Sequence, residues 1–199
     1  MMPPELITGL AVFAFVSSIT PGPNNLMLMT SGANFGLRRT LPHLLGVVLG
    51  FCLMIVLVGL GIMQLFSLYP ASFDVLKIAS IVYLFYLAGK TAFSRATLSD
   101  QADTTEPMTF IQAVLFQWVN PKAWTMALTA ISVYAPSQGV WPVLVVALFF
   151  SVINLPCVSC WIVLGQKIRY FLTSTRRLKV FNVVMAGLLV ASVIPALSF

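Results

Sequence analysis

Between Met2 and Gly36 the chain carries a single charge, Glu5, and between Met108 and Tyr134 again only one, Lys122. Each stretch is too long for one straight membrane crossing, and each is interrupted midway. The first holds Thr20-Pro21-Gly22-Pro23-Asn24; the second holds Asn120-Pro121-Lys122, one hundred residues later. Proline removes a helix hydrogen bond and frees backbone groups that hydrocarbon cannot satisfy. Such breaks persist at membrane depth only where protein or a polar cavity covers them. Paired Pro/Gly-interrupted apolar segments at matching places in two halves point to a transporter's binding site.

Charged residues make up only 8% of the chain and apolar ones 59%, with a mean hydropathy of +0.98. A soluble domain carries about 25% charged residues, so these charges are too few to cover a globular surface in water. The 199 residues suffice for about six spans of roughly 20 residues each, with short connections. The predicted fold is an all-α integral membrane protein. No segment shows the alternating polarity of a membrane β-strand. The net charge of +6 is no nucleic-acid signature, because the basic residues fall in gaps between apolar runs and form no face. With no Lys or Arg before Arg38, the first segment lacks a signal peptide's positive region and is expected to stay in the mature protein.

Helices are predicted at 5–34, 41–66, 74–93, 108–134, 141–165 and 179–198. The polar stretch from Ser94 to Pro107, with Asp100, Asp103 and Glu106, divides the chain. Three-span units are expected at 1–95 and 108–199, joined by a loop at 96–107. Pro21 aligns with Pro121 and Pro42 with Pro142, which suggests a degenerate repeat. Three is odd, so the second copy enters the membrane inverted, about a pseudo-two-fold axis in its plane. Helices one and four are then the broken ones.

Orientation follows from the positive charges. Arg38, Arg39, Lys90, Arg95, Lys167, Arg169, Arg176, Arg177 and Lys179 fall in the first, third and fifth gaps. Those loops are expected in the cytoplasm, with both termini outside. If the first segment makes two passes or re-enters, the N-terminus moves inside.

The motif Thr20-Pro21-Gly22-Pro23-Asn24, followed by Gly32, Gly36, Arg38, Gly46 and Gly50, resembles the amino-terminal signature of the LysE/RhtB superfamily of amino-acid exporters. Asn120-Pro121-Lys122 is similar to that family's second marker. The likeness covers essentially the whole chain and is nearest the RhtB-type branch, exporters of homoserine, threonine, leucine, cysteine and O-acetylserine. It implies efflux from the cytoplasm across the plasma (inner) membrane, driven by the proton gradient, and no enzymatic activity.

The residues at the breaks suit that substrate class on their own chemistry. A zwitterion needs an anion site and a cation site close together. The helix starting near Asn24 directs free N–H groups and a positive dipole end toward a carboxylate. Carbonyls freed near Thr20 can accept from an ammonium group. Lys122 adds a full charge, and Asn24, Asn25 and Asn120 donate or accept. The candidate substrate site is therefore Thr20, Pro21, Gly22, Pro23, Asn24, Asn25, Asn120, Pro121 and Lys122. The plain alternatives are a simple kink at Pro21 and Pro23, and helix packing for Asn25. Lys122, costing about 2.5–3.5 kcal/mol at the centre of a span, either serves function or reaches an interface or freed carbonyls.

Trp118 and Trp124 flank Lys122 and either gate the cavity or pack against neighbouring helices. His43, the only histidine, sits beside Pro42 near Arg38 and Arg39. It is placed at the cytoplasmic mouth, as a proton-linked group or an ordinary helix-start residue. No carboxylate falls deep in a span, so a proton carrier is not evident and coupling rests on the resemblance. The resemblance also bears on substrate: its basic-amino-acid branch carries an acidic residue in the second span, and Leu44 to Phe66 has none. Small neutral amino acids are favoured. Gly32/Gly36 and Gly46/Gly50 read as small-xxx-small packing pairs, within one chain or between two copies of a homo-oligomer.

Two other functions compete. Cys157 and Cys160 form a C-x-x-C, as in six-span thiol carriers of the DsbD/CcdA type. Such a carrier needs an equivalent cysteine in each half, and the hundred-residue offset gives Leu57 and Leu60, while Cys52 matches Val152. A metal site is disfavoured because no histidine or carboxylate accompanies the pair, and no cofactor is expected. A passive channel needs a continuous polar lining, and the spans offer only scattered Asn, Ser, Thr and Gln.

Overall fold

A computed structural model of the chain describes residues 3–62, 64, 68–69, 71–93, 106–135 and 139–192. Among these every regular element is helical. In chain order they are α1 (Pro4–Ile19), α2 (Pro23–Gly59), α3 (Ala71–Ala92) and α4 (Phe110–Phe116), which runs on through a 3₁₀ turn at Gln117–Val119. Then come α5 (Pro121–Tyr134), α6 (Val140–Arg169) and α7 (Thr175–Ala191). Residues 96–105 of the predicted central loop, and 193–198 of the last predicted helix, lie outside the described residues.

Among the described residues three helical stretches are long and apolar enough to cross a membrane: Pro23–Gly59, Asp74–Ala92 and Val140–Arg169. The first is not straight. Gly36 has φ 79° and ψ 171°, a conformation open essentially to glycine alone. On either side of it the chain folds back on itself. Leu28 shares a buried cluster with Leu44 and Val47, although a continuous helix would hold residues 28 and 44 about 24 Å apart. The Ser31 and Thr40 hydroxyls meet at 2.9 Å across the turn, and the Thr40 hydroxyl donates to Gly36 O at 2.8 Å. The predicted gap at 35–40 is thus a single residue, and Gly36 is a hinge of the backbone rather than a packing glycine.

The other three glycines do serve packing. A Cβ on Gly50 would stand 2.7 Å from Val114 Cα, and one on Gly32 would stand 3.0 Å from Ile162 Cα. Gly46 meets the Phe110 carbonyl in the same way. These close approaches seat α4 and α6 against the two halves of α2.

The main core joins α1, the second half of α2, α5 and α6 through Leu10, Ala14, Phe51, Met54, Ala127 and Phe150. A second cluster seats α3 and α7 on Phe116 of α4, through Leu84, Leu87, Ala186 and Leu189. Outward faces are apolar: Leu41, Leu45, Leu49 and Leu53 form an exposed i, i+4 stripe on α2. Asn25, Thr40, His43, Gln117, Asn120, Asn154 and Asn182 are buried instead. Polar inside and apolar outside is the inverse of a water-soluble fold, and lipid is the solvent that selects it.

Candidate functional site

The two breaks meet. Residues preceding proline avoid the α region, and accordingly Thr20 (φ −67°, ψ 145°), Gly22 (φ −179°, ψ 176°) and Asn120 (φ −97°, ψ 106°) are all extended. Residues 23–35 span about 20 Å from the first break to Gly36. That is about two thirds of the thickness of a hydrocarbon core of about 30 Å.

The carbonyls freed from α1 are all taken by side chains. Thr20 Oγ1 donates to Ser17 O at 3.0 Å, and Asn25 Nδ2 donates to both Ser18 O and Thr20 O at 2.8 Å. Trp161 Nε1 on α6 donates to Ile19 O at 3.2 Å. Lys122 Nζ, arriving from the second break, donates to Thr20 O at 2.8 Å, Thr20 Oγ1 at 2.9 Å and Pro21 O at 3.3 Å. The carbonyls of Thr20 and Pro21 thus hold an ammonium group, that of Lys122. Thr20 and Pro21 are exposed, Gly22 and Pro23 buried, and Lys122 half-buried.

The helix starts differ. Asn120 caps α5, its side chain accepting from Lys122 N at 3.2 Å. No side chain caps the start of α2, so the N–H groups beyond Pro23 remain directed at the break. Asn24 Nδ2 donates to Gln117 Oε1 at 2.8 Å, and Gln117 Nε2 donates to Ala113 O at 2.8 Å. That pair ties α2 to α4 across the site.

A cavity of about 30 Å³ lies here, lined by Gly22, Asn24, Asn25, Asn120 and Lys122 together with Ser17, Ser18 and Asn154. The buried Ser18 hydroxyl has no partner among the described residues. Gln117, Asn154, Ser18 and Trp161 were not singled out by sequence. A lone polar residue in an apolar run was the available signal, and Gln117 lies close to the second proline.

Trp118 and Trp124 do not line this cavity. Their rings meet edge to face at 5.8 Å, and Trp124 Nε1 donates to Trp118 O at 2.8 Å. Trp124 is buried in the main core, where it satisfies a carbonyl freed ahead of Pro121. His43 lies inside the second half of α2, 1% exposed, with neither ring nitrogen paired among the described residues. It lines a separate cavity of about 110 Å³ toward the Gly36 end. An unpaired buried polar group costs about 1–3 kcal/mol.

An inside-out helix bundle whose helix breaks meet around a polar cavity has the build of a membrane translocator. Comparison with known proteins agrees: the family model for the LysE type translocator matches residues 15–193. The chain belongs to that family, a multi-pass protein of the inner membrane and not an enzyme. Cysteine/O-acetylserine efflux proteins of Escherichia coli (strain K12) and Shigella sonnei (strain Ss046) are each 29% identical over 192 residues, covering 95% of this chain and 96% of theirs. The same figures hold for the protein of that name in Escherichia coli (strain UTI89 / UPEC). No solved structure matches.

Proposed function

We propose that this translocator exports small neutral amino acids or their derivatives, of the cysteine, O-acetylserine, homoserine and threonine class, through the site between the two breaks. The observation that carries the reading is the Lys122 ammonium on the Thr20 and Pro21 carbonyls. It is a resident stand-in for half of a zwitterion. An arriving amino acid places its own ammonium on those carbonyls, and Lys122 turns to the incoming carboxylate beside the uncapped start of α2. One ion–dipole contact becomes two, and no net charge enters the low-dielectric interior. A cationic side chain would bring an extra charge to a wall that, among the described residues, holds no Asp or Glu, which disfavours lysine and arginine.

Six passes arranged as an inverted repeat fit this site. The passes are α1 with residues 23–35, residues 37–59, α3, α4 with α5, α6, and α7. Packing supports the arrangement: α1 lies against α6 while α4 lies against α2, and α3 pairs with α7. The repeat axis then passes between the breaks. Residues 1–95 and 108–199 form the two units, and the Gly36 end, with Arg38, Arg39, Lys90 and Arg169, faces the cytoplasm. The rival thiol-carrier reading gains no support, since none of the three cysteines lines the cavity at the breaks.

Efflux from cells overproducing the protein tests the reading directly. Intracellular pools of O-acetylserine, cysteine, homoserine and threonine are loaded, and their appearance outside is followed. Faster export of at least one, with lysine and arginine unaffected, is expected. Export of none of them, from cells in which the protein is present in the membrane, refutes it.

A further inference from the structure

We propose that the cavity at the Gly36 end is a second amino-acid site, where a zwitterion is held before it reaches the breaks; this rests on the export reading above. Its walls come from both halves of the chain: α2, α3 and the segment leading into α4. At about 110 Å³, against about 30 Å³ at the breaks, it is the roomier of the two and takes a whole small amino acid with no side chain displaced. One water needs about 10–15 Å³ by the same measure, so it accommodates roughly seven to eleven water-sized groups rather than two or three.

The chemistry of its wall is that of a zwitterion's complement. Lys90 and Glu106 supply one positive and one negative charge, and both line the cavity. Neither has a hydrogen-bond or ionic partner among the described residues. His43 lines the same cavity, 1% exposed, with neither ring nitrogen paired among the described residues. The other buried polar residue on this wall, Ser31, is engaged with Thr40, and Asn34 beside it with Asn182. His43 is therefore the polar edge left over for a ligand. Along α2 the two sites are about one turn apart, Asn24 and Asn25 lining one, Met27, Thr30 and Ser31 the other. The Asn24–Gln117 bond stands at that junction.

The test uses purified full-length protein and radiolabelled O-acetyl-L-serine, in equilibrium binding and in efflux from loaded vesicles. Lys90→Gln and Glu106→Gln change exposed side chains and are expected to leave folding intact. Each should weaken binding roughly tenfold, the scale of one charge-assisted hydrogen bond, and raise the half-saturating concentration with little change in maximal rate. His43→Leu should weaken binding similarly. Lys122→Ala should still bind the label while its maximal rate collapses. Binding abolished by Lys122→Ala and untouched by Lys90→Gln and Glu106→Gln would overturn the second site, leaving export through the breaks standing. Wild-type vesicles that neither bind nor release the label or the other three amino acids would overturn both.

Discussion

Lys122 of the second break lies against Gly22 of the first: a Cβ on Gly22 would stand 2.7 Å from Lys122 Cδ and 3.2 Å from its Nζ. One half supplies the charged side chain and the other supplies the space it crosses. The backbone at Gly22 is extended, φ −179°, so glycine is required there for room and not for conformation.

Gly22→Ala is accordingly predicted to spare folding and impair transport. The lysine stem must move, lifting Nζ from the Thr20 and Pro21 carbonyls. Efflux per molecule should fall at least roughly tenfold, as for other displacements of about 1 Å at a functional centre. Membrane protein levels should stay near wild type by immunoblot. Unchanged efflux would mean that the placement of Lys122 is immaterial.

Asn24 and Gln117 form the bond that ties the first break to the second. Truncating either leaves the other without its partner in a buried setting. Asn24→Ala and Gln117→Ala should each lower the melting temperature of the purified protein, and the double variant should lose less than the sum. A coupling of about 0.5–2 kcal/mol is expected. Strict additivity would show that the two side chains do not depend on each other.

A topology reporter fused after Phe199, which lies outside the described residues, should report the external side. The clustering of nine of the eleven Lys and Arg in alternate gaps motivates this. A cytoplasmic signal there, with Arg176 and Arg177 accessible from outside, would refute either the six passes or their orientation.

The breaks were legible because their residues act through the chain itself. Pro21, Pro23 and Pro121 forbid local helix hydrogen bonds, and Lys122 is a lone charge in an apolar run, so both signals survive without a fold. Gly36 was visible but misassigned: four-residue glycine spacing suggests packing, whereas a left-handed φ leaves no trace in sequence. Helix boundaries were clear where composition changes and poor where it does not, as between residues 35 and 41, where the helix resumes within one residue. The positions of His43 and Gln117 were beyond reach. His43 neighbours Pro42 and two arginines, which suggests a mouth, and nothing in that neighbourhood reveals that its ring is buried, 1% exposed, on a cavity shared with Glu106, Pro107 and Met108. Gln117 reads as one more scattered polar residue until Asn24, ninety-three positions earlier, is brought to it.

Transport by Lys122→Ala, measured per molecule in cells overproducing the protein, tests the central claim most directly. Removing a charge from mid-span eases insertion by about 2.5–3.5 kcal/mol, so the variant should accumulate at least as well as wild type. Its efflux of O-acetylserine, cysteine, homoserine and threonine should fall nearly to the background of cells lacking the protein. Lys122→Arg, which keeps the charge but changes donor geometry, should retain part of it. Wild-type efflux per molecule from Lys122→Ala would contradict the account and place the substrate path away from the paired breaks.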